Sequence, residues 1–150
     1  KQDIAQGRTG NDTLHAGTHC GKKCCERDSW GACMFAPMAE AVDSSTDVFV
    51  EKHYYSAFTD TSLHALLNER KTSSVLFCGV TANMCVQASA TDACLLGFKV
   101  AVPWDCTWAS SSTAKSKARR ALRRQGALIV RDGTSICLGD DPNVNRRMVS

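Results

Sequence analysis

No run of apolar residues in this chain of 150 approaches the roughly 20 consecutive residues that a helix needs to cross a bilayer. The sequence therefore predicts a protein without membrane contact. Internal repeats and low-complexity segments are also absent, which excludes a repeat array. Hydrophobic residues make up 43% of the chain, a share typical of a soluble globular protein, and the length suits one domain.

Aromatic residues are absent from the most basic part of the chain. Six lysines and arginines lie on one predicted helix: Lys115, Lys117, Arg119, Arg120, Arg123 and Arg124. Proteins that bind single-stranded nucleic acid usually stack the bases on aromatic side chains. Because the net charge is only +3, this basic run is typical of a solvated helix face, and we predict no nucleic-acid partner.

Cys-x₂-Cys pairs are absent, although the chain has nine cysteines. A structural zinc site usually uses two such pairs, so we predict no metal and no cofactor. A zinc-binding module stays open as an alternative for one crowded segment, which contains His15, His19, Cys20, Cys24, Cys25 and Cys33. Several other cysteines fall inside predicted strands and helices instead of loops. We therefore expect reduced thiols and a cytoplasmic protein.

Short apolar runs alternate with helix-like segments from residue 47 onward. The pattern predicts strands at 47–52, 75–78, 99–103 and 127–130, and helices at 61–70, 85–96 and 112–125. Residues 30–41 are weakly helical, and residues 1–27 form an irregular segment ahead of a domain at 28–150. Strands that are continuously apolar are typical of a parallel sheet covered on both faces. The sequence therefore predicts an α/β fold.

The stretch Cys-Gly-Val-Thr-Ala-Asn-Met-Cys-Val at 78–86 is the strongest candidate for a catalytic site. A buried strand at 74–77 leads through Gly79 and a short turn to Cys85, which opens a helix. Backbone N–H groups and the helix dipole at such a position favour a thiolate and an oxyanion. Lys52 and Asp105 follow two other predicted strands, so we expect both near Cys85 at the carboxyl edge of the sheet. Alternatively, Cys85 is a small buried hydrophobe.

Four segments carry a resemblance to a known family. They are Asp-Ser-Trp-Gly-Ala at 28–32, Val-Glu-Lys-His-Tyr-Tyr-Ser-Ala-Phe at 50–58, Gly-Val-Thr-Ala-Asn-Met-Cys-Val at 79–86, and a helix with Thr-Asp-Ala at 91–93 and Gly-Phe at 97–98. Over residues 28–132 the chain resembles the isochorismatase-like cysteine hydrolases, which include nicotinamidases, N-carbamoylsarcosine amidase and ureidoacrylate amidohydrolases. The resemblance implies a three-layer α/β/α, Rossmann-like fold with a mostly parallel sheet.

The resemblance also implies roles for individual residues. Cys85 is the expected nucleophile, forming a thioester with a small amide or ureido compound, and Lys52 is the expected partner of its thiol. The amides of Thr81 and Cys85 form the expected oxyanion hole beside a cis peptide between Val80 and Thr81. The expected pocket residues are Tyr54, Tyr55, Phe58, Asn83 and Trp108. Asp105 is expected to hold loop backbone, and the assembly is expected to be a homo-oligomer.

One member of the family's site has no match before Lys52. The family places a general-base aspartate after its first buried strand, whereas Asp3 and Asp12 follow no such strand. We therefore expect that the first strand and helix are missing from this sequence and that these 150 residues have little activity. The predicted function is cysteine-dependent hydrolysis of amide or ureido C–N bonds. The alternative is an inactive relative that serves as an oligomerising or binding protein.

Overall fold

The computed structural model describes residues 18–19, 22–23, 29–131 and 133. Strands β1 (Thr18–His19) and β2 (Lys22–Lys23) pair antiparallel, and a 3₁₀ helix (Trp30–Ala32) and helix α1 (Ala36–Glu40) follow. The expectation of a wholly irregular segment at 1–27 is wrong for the four residues of β1 and β2. A pairing of two residues is too short to produce the alternation by which strands are recognised in a sequence.

The remaining elements alternate between helix and strand. They are α2 (Leu63–Glu69), β3 (Ser74–Leu76), β4 (Gly79–Val80), α3 (Cys85–Leu95), β5 (Lys99–Pro103), β6 (Thr107–Trp108), α4 (Ser112–Arg124) and β7 (Leu128–Val130). The predicted α/β class is confirmed, and the helices begin and end within about two residues of their predicted bounds. The strand predicted at 75–78 is confirmed only for residues 75–76, which lie in β3; residues 77–78 are not in a strand, and β4 begins after them, at Gly79.

The strand predicted at 47–52 is wrong. Within that segment only Phe49 has the backbone pairing of an isolated bridge, and its side chain is 58% exposed. Asp47 instead closes a turn, because its carboxylate accepts a 2.9 Å hydrogen bond from the backbone N–H of Asp43. An apolar run becomes a strand only where a neighbouring strand lies alongside it, so strand propensity alone misleads here.

The central sheet has the strand order β3–β5–β7, with parallel pairing throughout. Beyond its carboxyl edge, β4 pairs parallel with β6, placing Gly79 opposite Thr107 and Val80 opposite Trp108. Helices α3 and α4 connect the strands, contact each other and pack on β5 and β7. This arrangement brings the turn before α3 to the carboxyl edge of the sheet, where α/β proteins bind ligands.

One face of the sheet packs against the helices. Val100 and Val102 of β5 are at most 5% exposed and belong to the main core with residues of α2, α3 and α4. Leu67 and Leu122, exposed by 1% and 0%, are the largest side chains of this core that are less than 2% exposed. Complete burial of a leucine side chain contributes about 1.5–3 kcal/mol, so these two residues make a large contribution to stability.

The opposite face carries an exposed apolar row. Leu76, Ala101 and Leu128 are paired across β3, β5 and β7, so their side chains lie on the same face. Leu76 is 40% exposed and Leu128 is 64% exposed. Continuous apolar runs predict burial of this sheet on both faces and of the strand at 74–77; for this row the prediction is wrong. Such runs show that a strand is apolar on both sides, but not what covers each side.

Short-range signals set the helix ends. The Ser111 hydroxyl accepts a 3.1 Å hydrogen bond from the backbone N–H of Ala114 and caps α4. Helix α3 is followed by Gly97, which has a φ of 92°, a conformation that favours glycine. None of the helices among the described residues has the length and apolar character needed to cross a membrane.

Candidate active site

The turn before α3 is fixed by backbone contacts on both sides. The peptide bond between Val80 and Thr81 is cis, at the position implied by the resemblance. The Thr81 carbonyl accepts hydrogen bonds from the N–H groups of Met84 at 2.9 Å and Val86 at 3.3 Å. The N–H of Ala82 donates to the Trp108 carbonyl at 2.6 Å. The turn is therefore tied to β6 on one side and to the first turn of α3 on the other.

Cys85 is the first residue of α3 and is half-buried. As the first helical residue, it has a backbone N–H with no acceptor within the helix. The positive end of the helix dipole lies at the same place, and both features stabilise negative charge near the thiol. The alternative of an inert, fully buried cysteine does not describe Cys85, because its side chain is partly accessible.

Lys52 is held by its own loop. Its ammonium donates hydrogen bonds to the backbone carbonyls of Tyr54 at 3.0 Å and Tyr55 at 3.3 Å. These are the hydrogen bonds of Lys52 within the described part of the chain, and neither involves Cys85. The expected contact of Lys52 with the thiol therefore stays a prediction, whereas the packing of the Lys52 loop is defined.

The segment after Lys52 is anchored on α3. The N–H of Ala57 donates a 2.9 Å hydrogen bond to the Ser89 hydroxyl, one turn beyond Cys85. Phe58 is 3% exposed, and its ring stacks at 6.2 Å between centroids on Phe98. Phe58 is therefore part of the core, and its predicted place in a substrate pocket stays a prediction. Its position beside tyrosines in the sequence could not reveal that its ring is covered.

The other predicted pocket residues are accessible to different degrees. Tyr54 and Tyr55 are half-buried and lie at the Lys52 loop. Asn83 is half-buried within the turn before α3, and its Oδ1 is buried without a hydrogen-bond partner among the described residues. Trp108 is 71% exposed and is linked to the same turn through Ala82. Asn83 and Trp108 thus lie at the turn that carries Cys85.

Asp105 holds loop backbone, as the sequence predicts. Its Oδ1 accepts hydrogen bonds from the N–H groups of Cys106 at 3.0 Å and Gly133 at 2.9 Å. The carboxylate therefore joins the loop after β5 to the loop after β7. Short side chains with carboxylate oxygens commonly stabilise loops in this way.

Sequence reasoning missed two positioning residues, Ser89 and Lys115. Ser89 is 4% exposed on α3, where a serine among small residues gives no functional signal. The Lys115 ammonium donates to the Thr107 carbonyl and lies 5.3 Å from the centroid of the Trp104 ring. In the sequence Lys115 cannot be distinguished from the other lysines and arginines of α4, because the whole group has the pattern of one solvated helix face.

Two other cysteines, Cys78 and Cys94, have a higher thiol pKa than a free cysteine in solution. Burial raises the pKa of the Cys78 thiol and of the Cys94 thiol above the ordinary value of 9.0. Both side chains keep some solvent contact, which moderates the effect. At neutral pH both groups are therefore neutral thiols, unsuited to nucleophilic attack.

Most of the alternative zinc segment lies outside the described residues. Of its members, Cys33 is described with its side chain: it is exposed, and its thiol donates to the Ser29 carbonyl at 3.5 Å. Within residues 29–131 and at 133, no three histidines, cysteines or acidic residues are grouped closely enough to hold a metal ion. The zinc module therefore stays an untested alternative.

The geometry defines a class of protein: a parallel α/β fold in which a strand leads through a turn to a cysteine at the start of a helix. The chain belongs to the isochorismatase family, because residues 8–132 match the isochorismatase domain.

Two curated relatives and one solved structure illustrate the similarity. The chain is 38% identical over 72 residues to maleamate amidohydrolase of Pseudomonas putida, covering 47% of this chain and 34% of that protein. It is 38% identical over 61 residues to nicotinamidase 3 of Arabidopsis thaliana, covering 41% and 31%. The nicotinamidase/pyrazinamidase structure from Bacillus subtilis superposes with a TM-score of 0.70 over 82% of this chain and 70% of that chain. At 22% identity that match shows the fold alone. The matched segments thus span about a third of the curated relatives.

Proposed function

We propose that this protein is a cysteine-dependent hydrolase of amide or ureido C–N bonds in small molecules. The observation that carries the proposal is the placement of Cys85 at the first position of α3, after a turn fixed to β6. The names of two relatives, an amidohydrolase and a nicotinamidase, support the bond type. The proposal does not choose one substrate among small amides.

In the proposed reaction the Cys85 thiolate attacks the carbonyl carbon and forms a C–S bond. The carbonyl π electrons move to oxygen, and the backbone N–H groups of Thr81 and Cys85 stabilise that oxyanion. Its collapse breaks the C–N bond, and the leaving nitrogen takes the proton that a general base removed from the Cys85 thiol. Water then adds to the thioester, the C–S bond breaks, and a carboxylic acid and the thiol are released.

Lys52 has the proposed role of an electrostatic partner. Its ammonium, fixed by two carbonyl groups, stabilises negative charge that develops at the sulfur and at the substrate. Proton transfer requires a base in addition, which the family resemblance assigns to an aspartate. Asp3 and Asp12 precede Lys52 in the sequence and lie outside the described residues.

The remaining properties are part of the same proposal. We propose a cytoplasmic enzyme that takes a small-molecule substrate and assembles as a homo-oligomer. Cys33, Cys78, Cys85 and Cys94 are thiols, which suits a reducing compartment. Light scattering during size-exclusion chromatography would measure the assembly directly.

The test separates acylation of Cys85 from complete turnover. The full chain is incubated with p-nitrophenyl acetate, whose leaving group needs no proton, and the acetylated peptides are identified by mass spectrometry. Release of ammonia from nicotinamide and from maleamate is measured in parallel. We expect acetylation of Cys85 before the other cysteines. Any ammonia release that the unmodified chain shows should be lost in Cys85→Ala and retained in Cys94→Ala.

The outcomes distinguish the enzyme from its alternative. Ammonia release that survives Cys85→Ala would contradict the thioester mechanism. If Cys85 is acetylated no faster than Cys94 and no amide is cleaved, the inactive relative that binds a partner is the better description. Selective acetylation without ammonia release would show a competent nucleophile that lacks its base.

A further inference from the structure

A groove lined by cations lies between the first half of α3 and the exposed side of α4. Its volume is about 370 Å³, within the range of small-molecule sites. Its lining consists of Gln87 of α3 and Lys117, Arg120, Ala121 and Arg124 of α4. None of the residues assigned to the proposed active site belongs to this lining, so the groove is a separate feature of the molecule.

The three cations form one row along α4. Lys117, Arg120 and Arg124 are separated by three and four residues, so their side chains lie on the same side of the helix. All three are exposed, and Ala121 between them leaves room because its side chain is small. Helix α4 contains no acidic residue that could neutralise them. The groove therefore presents concentrated positive charge to the solvent.

This charge opposes the stability of the helix that carries it. Arg120 and Arg124 are four residues apart, and Lys117 and Arg120 are three apart; like charges at these spacings repel each other. A bound anion would remove this repulsion. Arginine side chains bind phosphate groups through two parallel hydrogen bonds, and lysine adds a further point charge.

We propose that this groove is a binding site for a small molecule that carries phosphate groups. Arg120 and Arg124 bind the phosphate oxygens, Lys117 adds the third charge, and the Gln87 amide contacts a polar group of the ligand. The lining contains no aromatic residue on which a base could stack, which favours a compact anion over single-stranded nucleic acid. The site is independent of Cys85 chemistry.

The test is a titration of the full chain with sodium pyrophosphate, measured by isothermal titration calorimetry at two salt concentrations. The test variant is Arg120→Gln with Arg124→Gln. The matched control is Arg119→Gln with Arg123→Gln, which removes the same charge from the same helix but from residues outside the groove. A third variant, Gln87→Met, changes the lining without changing any charge. Circular dichroism establishes that each variant is folded.

We expect one pyrophosphate per chain and a Kd raised by about tenfold or more in the Arg120 and Arg124 variant, as loss of charge-assisted hydrogen bonds predicts. The control pair should change the Kd by less than about twofold, and Gln87→Met should raise it. Equal losses in both arginine pairs would overturn the proposal, because they indicate a general electrostatic field. The proposal would also be overturned if pyrophosphate showed no saturable binding to the unmodified chain. It would be overturned as well if an oligonucleotide bound more tightly than pyrophosphate and both double variants weakened that binding equally. Ammonia release in the activity assay is unaffected by any of these outcomes.

Discussion

The backbone N–H of Ala57 and the hydroxyl of Ser89 form a buried hydrogen bond of 2.9 Å. The two residues are 32 positions apart in the sequence, and the bond joins the loop after Lys52 to the helix that begins at Cys85. The distance between the two proposed catalytic residues therefore depends on a contact that neither of them makes.

Replacement of Ser89 by alanine should reduce stability. It leaves the buried N–H of Ala57 without its acceptor, and such a loss costs about 1–3 kcal/mol. Alanine is also the better helix former, so Ser116→Ala on the exposed side of α4 measures that gain separately. Urea unfolding is expected to show a lower free energy for Ser89→Ala and an unchanged or slightly higher one for Ser116→Ala. Equal effects in the two variants would contradict the assigned role of Ser89.

Truncation of Leu122 tests the core between α4 and the sheet. Its side chain is 0% exposed, and Leu→Ala substitutions at such positions cost about 2–5 kcal/mol. Leu95→Ala is the control because Leu95 is 52% exposed at the end of α3. Thermal or urea unfolding should show a change several times larger for Leu122→Ala. A similar small change in both would show that Leu122 is not packed as described.

The raised pKa values of Cys78 and Cys94 predict how stability depends on pH. In the folded state both thiols keep their protons to a higher pH than the ordinary value of 9.0. Between that value and the raised pKa the folded chain binds more protons than the unfolded chain, so the free energy of unfolding falls as pH rises. Below pH 9 both thiols keep their protons in the folded and the unfolded chain, so this loss of stability does not occur there.

Unfolding measured in reductant on both sides of pH 9 checks this dependence. Lysines and tyrosines also titrate in that range, so the quantity of interest is the difference in slope from the double variant Cys78→Ala, Cys94→Ala. The variant should lose less stability than the unmodified chain between about pH 8.5 and 10.5. This interval extends about one pH unit or more above the ordinary pKa of a thiol. Identical slopes would show that burial of these thiols has no effect on folding.

Lys115 should stabilise the loop between β5 and β6. Replacement by methionine keeps the aliphatic length but removes the hydrogen bond to the Thr107 carbonyl and the contact with the Trp104 ring. Charge-assisted hydrogen bonds and exposed cation–π contacts together suggest a loss of about 1–2 kcal/mol. Lys117→Met removes the same charge two residues away, where the side chain is exposed. If both variants lose equal stability in urea, the effect comes from charge and not from the Lys115 contacts.

The sequence predicts the parts of this fold that depend on local signals. Strand β5 has its predicted bounds, and glycines with positive φ follow α3 and α4, because caps and apolar periodicity act over a few residues. The position of Cys85 at a helix start also follows from a local pattern of strand, glycine and turn.

Long-range contacts account for what the sequence could not predict. Whether the run around Phe49 pairs with another strand depends on residues elsewhere in the chain. In the sequence, Phe58 and Tyr55 are equally plausible as pocket aromatics. In the structure Phe58 is 3% exposed and stacks on Phe98, whereas Tyr55 is half-buried. Ser89 acquires its role solely from a partner 32 residues away.

Helix α3 buries seven of its eleven residues, and three of them are alanines: Ala88, Ala90 and Ala93. Small side chains let the neighbouring elements approach the helix closely, and a larger residue at any of these positions would overpack the core. The buried side of the helix that carries Cys85 therefore tolerates few larger side chains. Sequence changes that preserve this packing are confined to the exposed positions of the helix and to the surrounding loops, such as the one holding Tyr54 and Tyr55, and they leave the position of the Cys85 sulfur unchanged.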